Sequence, residues 1–307
     1  MAELHYDPEE LAEYQNFVYE RHEVWLARQA GGPQPWSADP IVRFHKFTNV
    51  FRVLDPGSQY ALALGNELGS TELDVLARVF LYRYTNLPAT WEHLSALLDG
   101  WPTAEDIIKP KRRARVLAAV DAYRAAGNQV FSGAYMILPQ PGKSGDKVEQ
   151  ALDLTARVLT ETGKAFLKAK APKAKYDTLR QHYGVGEFMA MQILTDWGYS
   201  QYGEDRENEF VIAGPGSKKG TRWLSEAKAE AVIADQREWW LSQQVYLTGP
   251  NGRRRYPSLM DVQNTFCEYS KYARYRSRGG LLEEREYTPA HPGPQPAPVY
   301  PPAWGMS

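Results

Sequence analysis

The sequence predicts an all-α protein organised around a helix-hairpin-helix, and three observations predict it. Apolar residues recur at three-to-four spacing through nearly every long segment of the 307 residues. Strand-like alternation is confined to short pieces around 129–136 and 210–212. The stretch LRQHYGVGEFMAMQILTDW (179–197) sets Gly184-Val185-Gly186 between two helical patterns, where glycine's freedom at positive φ permits a tight hairpin.

Taken in order, the first helix is expected over 7–28, with Pro8 near its start. GGPQPW (31–36) is a loop, and Asp39-Pro40 reads as an N-cap followed by proline at the first helical position. A long helix is expected to follow, running through FHKFTNVFRVLD (44–55). Further helices are expected over 72–84, 90–98, 103–126, 147–162, 173–181, 187–199, 226–242 and 258–276. VYLTGPNGRRRYP (245–257) reads as an exposed turn with a small hairpin at Pro250-Asn251-Gly252. LPQPGKSGDK (138–147) is a Pro/Gly connector, and beyond Glu286 the proline density forbids regular helix or central strand. The organisation expected is one helical catalytic domain of two lobes over 1–286, with a lobe boundary near 138–147. A Pro-rich tail, 287–307, follows it.

Composition narrows the class. No apolar run approaches the length of a membrane span, and the acidic N-terminus lacks the basic-then-apolar layout of a signal peptide. A single cysteine, Cys267, excludes an internal disulfide and points to a reducing compartment. The net charge of −1 conceals basic clusters. One comprises Lys109, Lys111, Arg112, Arg113 and Arg115; another, Lys164, Lys168, Lys170, Lys173 and Lys175, leads into the hairpin. A third joins Arg253, Arg254 and Arg255 to Lys271, Arg274, Arg276 and Arg278. Such clusters neutralise phosphates in a nucleic-acid-binding protein and are solvated faces in others. The hairpin presents backbone N–H groups at a helix N-terminus, where a phosphate is held without sequence readout. Gly184, Val185, Gly186, Lys173 and Lys175 are therefore DNA-binding candidates. The same Gly-x-Gly also serves as an ordinary turn between core helices.

Chemistry is sought in polar residues. Gly142-Lys143-Ser144 lacks the P-loop glycine five positions earlier, where Ile137 stands, and GPGSKKG (214–220) lacks a Gly-Lys-Ser/Thr ending. The six histidines show no paired ligand spacing, so no metal is expected. Three segments place polar groups where an amphipathic helix turns inward or beside a glycine turn. The first carries Arg43, His45, Asn49, Arg52 and Asp55, of which Asn49, Arg52 and Asp55 share one helical side at three-residue steps. In the second, Asp205, Glu207 and Glu209 precede a glycine turn and Lys218 and Lys219 follow it, giving carboxylates for a general base and cations for a phosphate. The third sets Asp261, Asn264 and Glu268 on one stripe, with Gln263 and Lys271 adjacent, a pattern suited to a polar cleft. Each also reads as a bracing network or a charged surface.

Four pieces in this order, PWSADPIVRFHKFTNVFRVLDPGSQY, LRQHYGVGEFMAMQIL, NEFVIAGPGSKKG and DVQNTFCEYSKYAR, span roughly residues 35–274. Together they resemble the phage thymidine-hypermodification family described as α-glutamyl/putrescinyl-thymine pyrophosphorylases, or amino acid:DNA transferases. The resemblance implies a two-lobed, DNA-glycosylase-like helix-hairpin-helix fold and double-stranded DNA carrying a modified thymine as substrate. It implies displacement of pyrophosphate from a 5-hydroxymethyluracil derivative by an amine, either an amino acid such as glycine or a polyamine. It also implies a phage product acting in the cytoplasm of the bacterial host. The same helical module occurs fused to a P-loop in hydroxymethyluracil DNA kinases, and the absence of a P-loop here favours the transferase.

That reaction assigns the candidates. Glu209, Asp205, Asp55 and His45 compete as general base. Arg43, Arg52, Gly214, Gly216, Lys218 and Lys219 would bind the pyrophosphate, and Asn49, Asp261, Gln263, Asn264, Glu268 and Lys271 would line the substrate pocket. No cofactor is expected, although the hairpin could hold a monovalent cation. The rivals are a DNA glycosylase of the same fold and a non-catalytic DNA-binding protein. Against the glycosylase, Phe188 stands at the lysine nucleophile position of bifunctional members.

Overall fold

The computed structural model describes residues 4–132, 146–279 and 296–306. Among these residues the chain forms fourteen α-helices and one short two-stranded hairpin, the all-α architecture expected. It divides into two compact units, one of 1–55 and 211–299, the other of 56–210 and 300–307. The connector expected at 138–147 falls almost wholly outside the described residues, and so does the Gly142-Lys143-Ser144 triplet.

The first unit opens with α1 (Pro8–Gln29) and α2 (Pro40–Phe44), followed by a 3₁₀ turn, Arg52–Leu54. Both helices start as the sequence dictates, with Asp7 and Asp39 accepting from two backbone N–H groups each and proline in the first turn. The second unit carries α3 (Pro56–Gly65), α4 (Glu72–Thr85), α5 (Pro88–Leu98), α6 (Ala104–Ile108) and α7 (Pro110–Ala125). It continues with α8 (Lys147–Glu161), α9 (Gly163–Lys168), α10 (Pro172–Arg180) and α11 (Glu187–Gly198). The single helix expected over 103–126 is two, because Pro110 has no N–H to continue the ladder and starts α7 instead. The chain then returns to the first unit with α12 (Pro215–Leu224), α13 (Ala229–Ser242), strands β1 (Leu247–Thr248) and β2 (Arg254–Arg255), and α14 (Leu259–Ser277). The β1–β2 ladder confirms the hairpin at Pro250-Asn251-Gly252, with Gly252 at φ +80°. No strand forms at 210–212.

In the second unit α4 is the central helix, buried at every position from Val75 to Thr85. Its buried Arg83 pairs with Asp196 of α11, donating from Nη2 at 2.7 Å, so the enclosed charge is compensated. The end of the Pro-rich tail is docked on this unit. Tyr300, Trp304 and Met306 are buried, and Trp304 meets Tyr199 edge-on.

In the first unit α14 is the central helix. Tyr14 of α1 stacks on Phe266 at 4.1 Å and shares a 2.7 Å hydrogen bond with Thr265. α12 lies against α14 with almost no separation. A Cβ on Gly216 would collide with Cys267 Sγ, and one on Gly220 with the Phe266 carbonyl. The glycines read as a turn in GPGSKKG are therefore the contact face of a helix, and Lys218 and Lys219 stand on its exposed side.

Candidate functional site

The long helix expected through 44–55 does not form. α2 stops at Phe44, His45 is extended (φ −114°, ψ 148°), and no α-helix resumes before Asp55. The reason is tertiary. Side chains from α1 and α14, and from the segment itself, capture the backbone groups that a helix would pair internally. Arg21 donates through Nη2 to the carbonyls of Phe47 and Thr48, both at 3.0 Å. The Thr48 N–H donates to Glu268 Oε2 (3.1 Å) and the next N–H, that of Asn49, to Asp55 Oδ1 (2.8 Å). Asn264 Nδ2 reaches Thr48 Oγ1 (3.1 Å) and the Asn49 carbonyl (3.3 Å), while Asn49 Nδ2 closes on the Leu54 carbonyl (2.9 Å).

Asn49, Arg52 and Asp55 thus do not share a helical face. The loop still assembles them with three residues of α14. Two carboxylates from different elements, Asp55 and Glu268, are moored on consecutive amides of one loop. Glu268 is buried and holds Lys271 Nζ with its other oxygen at 2.7 Å. Asp261 is fully engaged as a brace. It caps α14 through the Ser258 N–H (2.8 Å) and hydroxyl (2.9 Å) and accepts the Arg52 N–H at 2.8 Å.

Burial raises the Asp55 carboxyl to about 7, with the negative charge of Glu268 adding to the rise. The Asn49 N–H and the Arg52 and Arg21 guanidiniums oppose it without prevailing. Asp261 is also raised by burial, against hydrogen bonds from Ser258 and Arg52 and the charge of Arg255. Asp55 accepts one hydrogen bond, through Oδ1, among the described residues. A carboxyl poised near neutrality, with one oxygen tied to the loop and cations beside it, has the chemistry to accept a hydrogen bond from a hydroxyl and then its proton.

The remaining candidates lie elsewhere. His45 is buried and stacked on Tyr275 at 3.7 Å, and Gln263 is buried with its carbonyl accepting the Ser217 hydroxyl. Arg43 is exposed beside the Phe44 ring, and Gly214 is the N-cap of α12. Asp205 and Glu209 sit on an exposed loop of the second unit. Glu209 receives two 2.6 Å hydrogen bonds from Arg206, which hold its carboxyl below the usual range.

The hairpin belongs to the second unit as well. Gly184 adopts φ +100°, Val185 is buried, and the Tyr84 hydroxyl donates to the Gly184 carbonyl at 2.8 Å. Gly186 caps α11 without a side-chain bond. Lys173 is paired with Asp177, and Lys175 donates to the Phe166 carbonyl at 2.9 Å while lying over the Phe166 and Trp197 rings. Sequence reasoning missed Arg21 and Thr48. The signal for Arg21 was present: it falls in phase with Tyr14, Phe17, Val18 and Val24, the buried stripe of α1.

The family model described as "5-hmdU DNA kinase, helical domain" matches residues 9–279. A relative from Bacillus phage SP10, a 5-hmdU DNA kinase, is 26% identical over 230 residues, covering 68% of this chain and 35% of the relative. The chain spans about a third of the length of that curated relative. No solved structure matches it. The expected displacement of pyrophosphate by an amine is overturned, since the relative is named for phosphorylation. The preference for a transferase rested on the missing P-loop. A chain that matches a third of a kinase need not carry that motif in the matched part.

Proposed function

Because the chain belongs to the family of 5-hmdU DNA kinase helical domains, and so to the phage thymidine-hypermodification proteins, we propose that it holds 5-hydroxymethyluracil in DNA and prepares its hydroxyl for phosphorylation. The observation that carries this reading is Asp55, raised to about 7 and tied by one oxygen to the pinned loop. The hydroxymethyl O–H donates to the Asp55 oxygen that the Asn49 N–H does not hold. As the new O–P bond forms and the bond to the nucleoside diphosphate breaks, the hydroxyl proton passes to Asp55. Lys271, held beside the site by Glu268, supplies positive charge. The phosphoryl donor sits on a nucleotide-binding element outside these residues, which carry no complete P-loop motif. Extruding the base from the stack costs a few kcal/mol, recovered in contacts to the base and to the backbone. DNA in the infected cell's cytoplasm is the partner on this reading.

Binding tests the acceptor role without a phosphoryl donor. Duplexes containing 5-hydroxymethyluracil should bind about tenfold more tightly than thymine duplexes, the value of one hydrogen bond to a charged group. Asp55→Ala should erase the difference. Equal affinity of the wild-type protein for both duplexes would refute the reading.

A further inference from the structure

α12 carries a feature that the Asp55 site does not use. Its inner face is given over to the close approach of Gly216 and Gly220 to α14, which fixes the helix rigidly on the unit. Its outer face is one stripe of exposed residues, Pro215, Lys218, Lys219, Arg222 and Trp223, at three-to-four spacing. α12 (PGSKKGTRWL) carries no carboxylate of its own, whereas Lys109 and Arg112 are paired with Glu105 and Lys173 with Asp177. Lys219 and Arg222 form no ion pair among the described residues. They stand about 4.5 Å apart along the helix axis, three residues at 1.5 Å each. Long side chains from such positions reach neighbouring phosphates of one strand. Trp223, 38% exposed, adds a ring at the end of the stripe.

We infer that this face of α12 is a DNA-backbone contact, with Lys219 and Arg222 each neutralising a phosphate and Trp223 lying against the sugars. The inference rests on the reading of the chain as a DNA-binding kinase module and specifies where that module grips the strand outside the base site. A lipid surface is the poorer fit. Insertion into a bilayer interface needs an apolar stripe, and Trp223 is the one large apolar side chain that α12 exposes. Phosphate contacts of this kind fix register and carry no base information. The α12 face and the Asp55 site therefore make separable contributions.

The salt dependence of binding distinguishes them. Each neutralised phosphate contributes about 0.9 to the slope of log affinity against log salt on duplex DNA. Lys219→Gln/Arg222→Gln should lower the slope by about 1.8, so that a fourfold rise in salt costs the variant about tenfold less affinity than it costs the wild type. The loss should be equal on thymine and 5-hydroxymethyluracil duplexes. Trp223→Ala should weaken binding with the slope unchanged, because an apolar contact releases no counterion. An unchanged slope in the double variant, with wild-type binding intact, overturns the α12 contact and leaves the Asp55 reading standing. An equal drop in Lys109→Gln/Arg112→Gln makes the effect one of net charge and also overturns it. Failure of the wild-type protein to bind any duplex removes both readings. Binding to anionic vesicles that the double variant loses, with DNA binding unaltered, reassigns the face to a membrane.

Discussion

Asp55→Asn separates the ionisation of the candidate site from its geometry. The amide keeps an oxygen for the Asn49 N–H but cannot lose a proton. In the unfolded chain Asp55 ionises near 3.8, whereas burial raises it to about 7 in the folded protein. Between those values the folded state holds a proton that the unfolded state has released. The stability Asp55 contributes is therefore full below about pH 4 and is lost as pH rises through about 7. The whole shift is worth about 4 kcal/mol at 1.36 kcal/mol per unit. The part lost between about pH 5.5 and 8.5 is about 2 kcal/mol. His22 acts in the opposite sense: burial lowers it from 6.5 to about 4, so its contribution is lost as pH falls through that window. The two terms offset in the wild-type curve, and the informative quantity is the difference between variant and wild type. Urea midpoints read at both ends of the range should show Asp55→Asn gaining about 2 kcal/mol on the wild type as pH rises. A difference that stays constant across the range would refute a carboxyl held near neutrality.

Glu268→Gln keeps an acceptor for the Thr48 N–H and removes the charge that helps to raise Asp55. The Asp55 titration, followed by carboxyl ¹³C shifts, should move below about 7, and an unmoved midpoint would count against the two carboxylates acting together. Gly220→Ala forces a Cβ into the Phe266 carbonyl and should destabilise the first unit by about 2–4 kcal/mol in thermal unfolding. A Tm like that of the wild type would show that α12 moves freely against α14. At the hairpin, Gly184→Ala meets a positive φ and should cost about 1 kcal/mol, while Gly186→Ala has open space and an ordinary φ and should leave the Tm unchanged. Equal losses in the two variants would contradict the turn geometry.

Most helices were legible because their start signals are local. Asp7-Pro8 and Asp39-Pro40 cap and open α1 and α2, and Ser258 with Asp261 forms a capping box on α14. The errors arose where a tertiary contact outweighed a local pattern. The three-residue steps of Asn49, Arg52 and Asp55 suit a helix, but Arg21, Glu268 and Asn264 claim the backbone of that segment, and none of them is near it in sequence. GPGSKKG looked like a turn because glycine disfavours helix. Only the approach of α14 shows why glycines are tolerated in α12. The polar stripe of α14 was visible, but its division of labour was not. Asp261 is used up in capping and bracing, while Glu268 holds the loop that carries Asp55.

The proposed reaction was the least legible feature, and the reason is physical. Phosphoryl transfer makes two separate demands, a cradle for the donor phosphates and a base beside the acceptor hydroxyl. The first is written in a compact local motif, and its absence is easily over-read. The second needs a single carboxyl whose pKa is set by three-dimensional surroundings, and no local spacing announces it. Asp55 stood in the sequence as one of four competing base candidates, and the proposed reading prefers it because the loop is held by groups from α1 and α14, with Glu268 on the neighbouring amide. At about 7 it is near half-ionised at neutral pH, where a base combines adequate population with adequate proton affinity. An ordinary exposed aspartate would be fully ionised there and too weak a base for an alcohol. Shielding from water and the adjoining carboxylate separate Asp55 from that case, and both are properties of the fold.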